Sequence, residues 1–116
     1  NYGSSGNGTG GHLASELFKT MTGIDMTHIP YKGGGLAYVD LVAGQIDLMI
    51  TSPAPTVPLV KAGKLRGLAT TGSRRSSAMP DLPTIAEAGV SGFEAISWYG
   101  ILAPAGTPRR GSVRRR

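Results

Sequence analysis

The residues best suited to chemistry stand at the start of this chain. There, Ser4-Ser5-Gly6-Asn7-Gly8-Thr9-Gly10-Gly11-His12 joins hydroxyls, glycines and an imidazole to an apolar helical pattern. Glycine lets backbone approach a ligand closely, and a helix that begins behind such a loop aims free amides and partial positive charge into it. This combination is the outline of an anion-binding loop. A second glycine-rich turn, Tyr31-Lys32-Gly33-Gly34-Gly35, and a third turn, Thr51-Ser52-Pro53, repeat the theme. Ser4, Ser5, Thr9, Thr51 and Ser52 could donate hydroxyl hydrogen bonds to a ligand or cap helices, and a cap position already faces the helix-end cavity.

Several chemistries are excluded by spacing. Gly6, Gly8 and Gly11 fit G-x-G-x-x-G, but a dinucleotide fold needs an acid about 20 residues on, and Tyr31 and Lys32 stand there instead. The one Gly-Lys pair, Gly63-Lys64, is followed by Leu65, so there is no phosphate-binding loop of the G-K-[ST] type. His12 and His28 are the only histidines, and neither has a sequence neighbour that suggests a triad or a metal site. His12 falls in the first helical turn, where it either donates to a bound anion or packs against the next strand. His28, within a strand, is read as structural. The acids are scattered, with no pair suited to acid-base work. Lys32 is the one cation placed on these turns, as an anion ligand or as a solvated loop lysine. No cofactor and no catalytic residue are expected.

The elements that must hold these turns alternate along the chain. Leu13, Ala14, Leu17, Phe18 and Met21 recur at helical spacing and Gly23 supplies a stop. A short strand is expected within Ile24 to Tyr31, a helix from Leu36 to Ala43 ended by Gly44, and a buried strand over Ile46 to Ile50. Ser52 and Pro53 suit the start of a third helix, whose regular part we expect between Val57 and Ala62 because Pro55 and Pro58 disturb it. Leu65 to Thr70 reads as a strand, Thr84 to Glu87 as a capping box opening a short helix that stops at Gly89, and Phe93 to Leu102 as an aromatic strand. This alternation implies an α/β fold with a mainly parallel open sheet flanked by helices. Its strand-to-helix turns share the carboxyl edge, where ligands of open α/β sheets bind.

Composition agrees with a folded domain: of 116 residues, 40% are hydrophobic and 16% charged, while 18 glycines and 8 prolines favour short elements and many turns. The net charge of +5 resides entirely in Arg109, Arg110, Arg114, Arg115 and Arg116. We therefore divide the chain into a lobe at 1–108 and a disordered or non-native basic tail at 109–116, and expect no nucleic-acid partner. Cysteine is absent, which removes disulfide frameworks and thiol catalysis. No signal-peptide pattern opens the chain. Asn1-Tyr2-Gly3 reads as the end of a strand, so the chain is expected to be a piece of a longer protein.

The ordered set of segments is similar to the periplasmic solute receptors of the tripartite tricarboxylate transporter family, the Bug-type receptors. The resemblance rests on Asn1-Tyr2-Gly3-Ser4-Ser5-Gly6-Asn7-Gly8-Thr9, His12-Leu13-Ala14, Pro30-Tyr31-Lys32-Gly33, Ala43-Gly44-Gln45 and Lys61-Ala62-Gly63-Lys64-Leu65-Arg66. It continues through Pro80-Asp81-Leu82-Pro83-Thr84-Ile85-Ala86-Glu87-Ala88-Gly89, Ser97-Trp98-Tyr99-Gly100 and Ala103-Pro104-Ala105-Gly106-Thr107-Pro108. It implies one lobe, the second, of a two-lobe periplasmic-binding-protein-like fold that closes on a small organic carboxylate. It also implies a periplasmic location, a missing first lobe, and membrane transporter subunits as partners of the full-length protein. Ser5, Gly6, Gly8, Thr9, Tyr31, Lys32 and Gly33 would contact the carboxylate, largely through backbone amides and ordered water. Thr51 and Ser52 would stand on the turn that varies with the ligand. A lobe alone is expected to bind weakly. In the alternative, Trp98, Tyr99, Ile101 and Leu102 are exposed and drive dimerisation or domain swapping, making the chain a self-associating homo-oligomer.

Overall fold

The computed structural model describes residues 1–97, 100 and 102–108. Three strands and three helices alternate: β1 (Tyr2–Ser4), α1 (Gly10–Thr22), β2 (His28–Pro30), α2 (Gly34–Val42), β3 (Leu48–Met49) and α3 (Pro53–Lys61). The strands form one parallel sheet in the order β2-β1-β3. Tyr2, Gly3 and Ser4 lie opposite His28, Ile29 and Pro30 on one side, and Tyr2 and Gly3 opposite Leu48 and Met49 on the other. Pro30 lacks an amide proton and sits in an edge strand, where a missing donor does least harm. The α/β fold with a parallel sheet is as the alternation implied.

Each helix has a local cause. Helix α1 turns Ala14 and Ser15 into the protein while Leu13, Leu17 and Met21 stay exposed, and it ends where Gly23 enters the left-handed region at φ 72° and donates to Lys19 O at 2.8 Å. A side chain would resist that backbone, so glycine is the natural stop. Helix α3 starts at Pro53 behind Ser52 as expected, but it is regular from Pro53 onward rather than only from Val57. Pro53 and Pro55 occupy the first turn, whose amides have no partner inside the helix, so their missing protons cost nothing there. Only Pro58 lies within the helix body.

Three further expectations are corrected. Leu65 to Thr70 makes no strand; it reaches its neighbour through a single parallel bridge between Thr70 and Thr84. Thr70 N donates to Pro83 O and Ile85 N to Thr70 O, but Pro80 and Pro83 have no amide protons with which to extend a ladder. From Thr84 to Gly89 there is one turn rather than a helix. Glu87 N donates to Thr84 Oγ1 at 3.0 Å, whereas the Glu87 carboxylate turns away to accept from Arg75, so only half of the capping box forms. Residues 93–97 also have no strand structure, although Phe93 is buried and meets Phe18 edge-on at 6.1 Å. Trp98, Tyr99, Ile101 and the basic tail at 109–116 lie outside the described residues.

Candidate functional site at the carboxyl edge of the sheet

Because the strands are parallel and each runs straight into a helix, the three turns Ser5–Thr9, Tyr31–Gly33 and Ile50–Ser52 gather at one edge. Direct contacts join them. Gly33 N donates to Ser5 O at 3.0 Å, tying the second turn to the first. Gly11 lies against the carbonyl of Ile50 so closely that a β-carbon there would collide with it, which brings the start of α1 to the third turn. Tyr38 Oη and Thr51 Oγ1 share a hydrogen bond of 2.7 Å, fastening α2 to the same turn.

The starts of the helices share a further property. Thr9, Gly33 and Ser52 are the N-cap residues of α1, α2 and α3, and none makes a side-chain capping bond. No acidic residue stands in any of the three first turns. Helix starts ordinarily carry such caps and acids, which satisfy their amides and offset the dipole. Here Thr9 Oγ1 donates instead to Gly6 O at 2.8 Å, bracing the loop and leaving the α1 amides free of it. The result is a rim with three uncompensated positive helix ends, suited to a carboxylate or another small anion. The α3 end is the poorest in donors, since Pro53 and Pro55 remove two of its first amides.

The sequence-derived candidates fall on this rim, with different degrees of freedom. Ser5, Gly6, Gly8, Thr9 and His12 line the first turn, and Tyr31, Lys32 and Gly33 the second. Gly8 and Gly33 hold positive φ of 77° and 99°, which shapes both turns. Tyr31 Oη donates to the Asp40 carboxylate at 2.7 Å, and that bond, with lesser help from burial, raises the phenol above its usual range. Its hydroxyl proton is thus already engaged. Lys32 is exposed and has no acidic partner among the described residues. Thr51 is held by Tyr38, and Ser52 stands exposed at the start of α3.

His12 and His28 are brought together in a way their separation in sequence does not reveal. Their rings stack with centroids 4.0 Å apart and planes 6° from parallel, and Tyr2 stacks on the far face of the group at 4.9 Å from His28. Burial, then the neighbouring His12, pushes the His28 imidazole below its ordinary value. Tyr2 Oη donates to Glu16 at 2.5 Å; burial and that carboxylate raise the phenol, while the same bond lowers Glu16. Besides His28, the rim includes Tyr38 and Ser97, neither singled out for the site. A β-carbon on Gly10 would lie 2.5 Å from Ser97 Oγ. For Ser97 the available signal was its place in the Ser97 to Gly100 segment; for Tyr38 there was none beyond helical spacing. Among the described residues no group of three metal-ligating side chains assembles, and no helix is long and apolar enough to cross a membrane.

This parallel α/β arrangement is the one found in solved periplasmic binding proteins, and ligands of such open sheets bind at the edge where the strands end. Residues 1–113 match the family described as "Tripartite tricarboxylate transporter family receptor", and the chain belongs to that family. It is 41% identical over 100 residues to protein BugT of Bordetella pertussis, covering 86% of this chain and 31% of that protein. An R. palustris protein solved with adipate superposes with a TM-score of 0.90 at 48% identity, covering 94% of this chain and 36% of the other. MatC of Rhodopseudomonas palustris with bound malate gives 0.87 at 34% identity, covering 95% and 37%. The chain spans about a third of the length of each of these three proteins. The family consists of receptors rather than enzymes.

Proposed function

We propose that this chain is a carboxylate-binding lobe of a periplasmic solute receptor that feeds a membrane transporter. The observation that carries this reading is the set of three helix starts on one rim, none capped by a side chain and none given an acid in its first turn. Amides of Gly10, Gly11 and His12 and of Gly34 and Gly35 would hold one carboxylate, with Ser5, Gly6, Gly8, Thr9, Tyr31, Lys32, Gly33, Thr51 and Ser52 around it. The adipate and malate carried by two similar structures support a small organic acid as the solute. A first lobe, outside these residues, would supply the remaining contacts and exclude water.

One rim offers only part of a site, and the cost of immobilising the ligand is nearly the same for a partial site as for a full one. Calorimetric titration of this chain with adipate is therefore expected to give a Kd of about 1 mM or weaker. Submicromolar affinity would contradict a half-site.

A second reading, self-association, is favoured by apolar surface on the helices. Leu13, Leu17 and Met21 form an exposed stripe on α1, with Leu13 at 60% exposure, and Val39 on α2 reaches 64%. Leu102 is 91% exposed. Such a stripe buries itself against a second copy or against a further lobe. Light scattering at high concentration decides: a homo-oligomer supports this reading and a strictly monomeric mass removes it.

A further inference from the structure

Both histidines of the stacked pair reach into the same glycine loop, by different routes. His12 Nδ1 accepts from Gly8 N at 2.9 Å, so that nitrogen carries no proton and the neutral ring bears its hydrogen on Nε2. His28 Nε2 lies 2.6 Å from Ser4 Oγ. The single Ser4 hydroxyl proton is donated to Gly6 O at 3.0 Å, while Gly6 N donates back to Ser4 Oγ at 3.2 Å. With the Ser4 proton placed on Gly6 O, His28 Nε2 acts as the donor in its own contact with Ser4. The loop is thereby held at Gly6 through Ser4 and His28, and at Gly8 through His12.

Adding a proton affects the two rings differently. On His28 it enters at Nδ1 and leaves the Nε2–H bond to Ser4 intact. On His12 it enters at Nδ1, where it sets N–H against the N–H of Gly8 and turns a hydrogen bond into a repulsion. The groups that face the pair are Tyr2 from β1, Glu16 and Lys19 from α1, and each ring for the other. Glu16 favours a positive ring, but its carboxylate is already shared between Tyr2 and Lys19. Two rings at 4.0 Å cannot both be charged without strong repulsion, so the stack admits one proton at a time. His12 Nδ1 is the ring nitrogen that faces the Gly8 N–H, so it is a proton on His12 that bears on the loop.

We propose that the His12–His28 stack is a proton-operated latch on the anion loop, holding Gly8 while His12 is neutral and releasing it when His12 Nδ1 is protonated. Gly8 is the natural place for release, because the space where its β-carbon would stand holds no atom within 4 Å. Its amide would then be freed toward the rim as a positive ring arrives beside it. This inference concerns the loop itself and does not depend on which solute the rim takes.

The test follows the Gly8 amide and the His12 ring of the ligand-free chain by nitrogen–proton correlation spectra from about pH 8 to about pH 5. The Gly8 resonance is expected to move with the same midpoint as the His12 ring, while the α3 amides stay in place. His12→Asn keeps an acceptor near the Nδ1 position and cannot titrate, so its Gly8 amide is expected to stay at the neutral position throughout. His12→Ala lacks the acceptor and is expected to start at the acid position. A Gly8 amide indifferent to His12 titration, an equal acid response in His12→Asn, or simultaneous movement of the α3 amides would each overturn the latch.

Discussion

His28 shows how a residue read as merely structural takes on a measurable role once its neighbours are known. Its folded-state pKa lies below the ordinary 6.5, first through burial and then through His12. The unfolded chain therefore takes up the proton at higher pH than the folded one, and stability falls as pH drops below about 6.5 toward the folded value. Urea midpoints at about pH 7.5 and about pH 5.5 should show this loss in the native chain. His28→Gln keeps a polar atom near Nε2 and cannot charge, so its curve should be flatter over the same interval. Gly11 makes a second case. Its β-carbon position collides with the backbone carbonyl of Ile50, which cannot swing aside as a side chain would. Gly11→Ala should cost about 1–3 kcal/mol by the usual scale of overpacking, and Gly3→Ala, whose β-carbon would meet the buried Ile46 side chain and the Tyr31 ring, should cost a similar amount. Chemical denaturation of both variants checks the size of the loss. The glycines and hydroxyls of the rim were legible because they recur at the ends of apolar segments. The stacking of His12 on His28 and the bond from Tyr38 to Thr51 were not, because they join residues that only the folded sheet brings together.

At the level of elements, stops were easier to read than starts. Gly23 and Gly44 follow α1 and α2 as expected, with φ of 72° and 77° that side chains avoid. The strand expected over Leu65 to Thr70 had the right residues but lacked a partner with amide protons to donate, since Pro80 and Pro83 interrupt the neighbouring segment. A strand is a property of two segments, and one pattern does not reveal the other's deficit. The regular part of α3 begins earlier than the expected Val57 because Pro55, like Pro53, sits where amides have no helical partner. Pro58 is different: it removes a bond to Ala54 O and lies in the helix body. Pro58→Ala should raise stability by about 1–2 kcal/mol, the gain in helix propensity being partly offset by a freer unfolded chain. A thermal melt checks the sign, and a lower Tm would show that Pro58 serves the packing of α3 in some other way.

For the molecule as a whole, the small core and the open rim belong together. Tyr2, Ala14, Ala37, Ile46 and Phe93 are the buried apolar residues among those described, while much of α1 and α2 keeps large apolar side chains at the surface. A groove of about 280 Å³ between α2 and the region of α3, lined by Tyr38, Val39, Val42, Leu59 and Lys64, adds to that surface. Chemistry is concentrated at the opposite extreme of polarity, on the edge where three strands end and three helices begin. The central claim is that this edge takes a carboxylate through helix-start amides. It is tested most directly by titrating adipate into the isotopically labelled chain and following each backbone amide. We expect shifts at Gly10, Gly11, His12, Gly33, Gly34 and Gly35, saturating only at millimolar concentration. The absence of shifts at those residues, or shifts confined to Asn1, Ile24 and Asp47 at the other edge of the sheet, would contradict it.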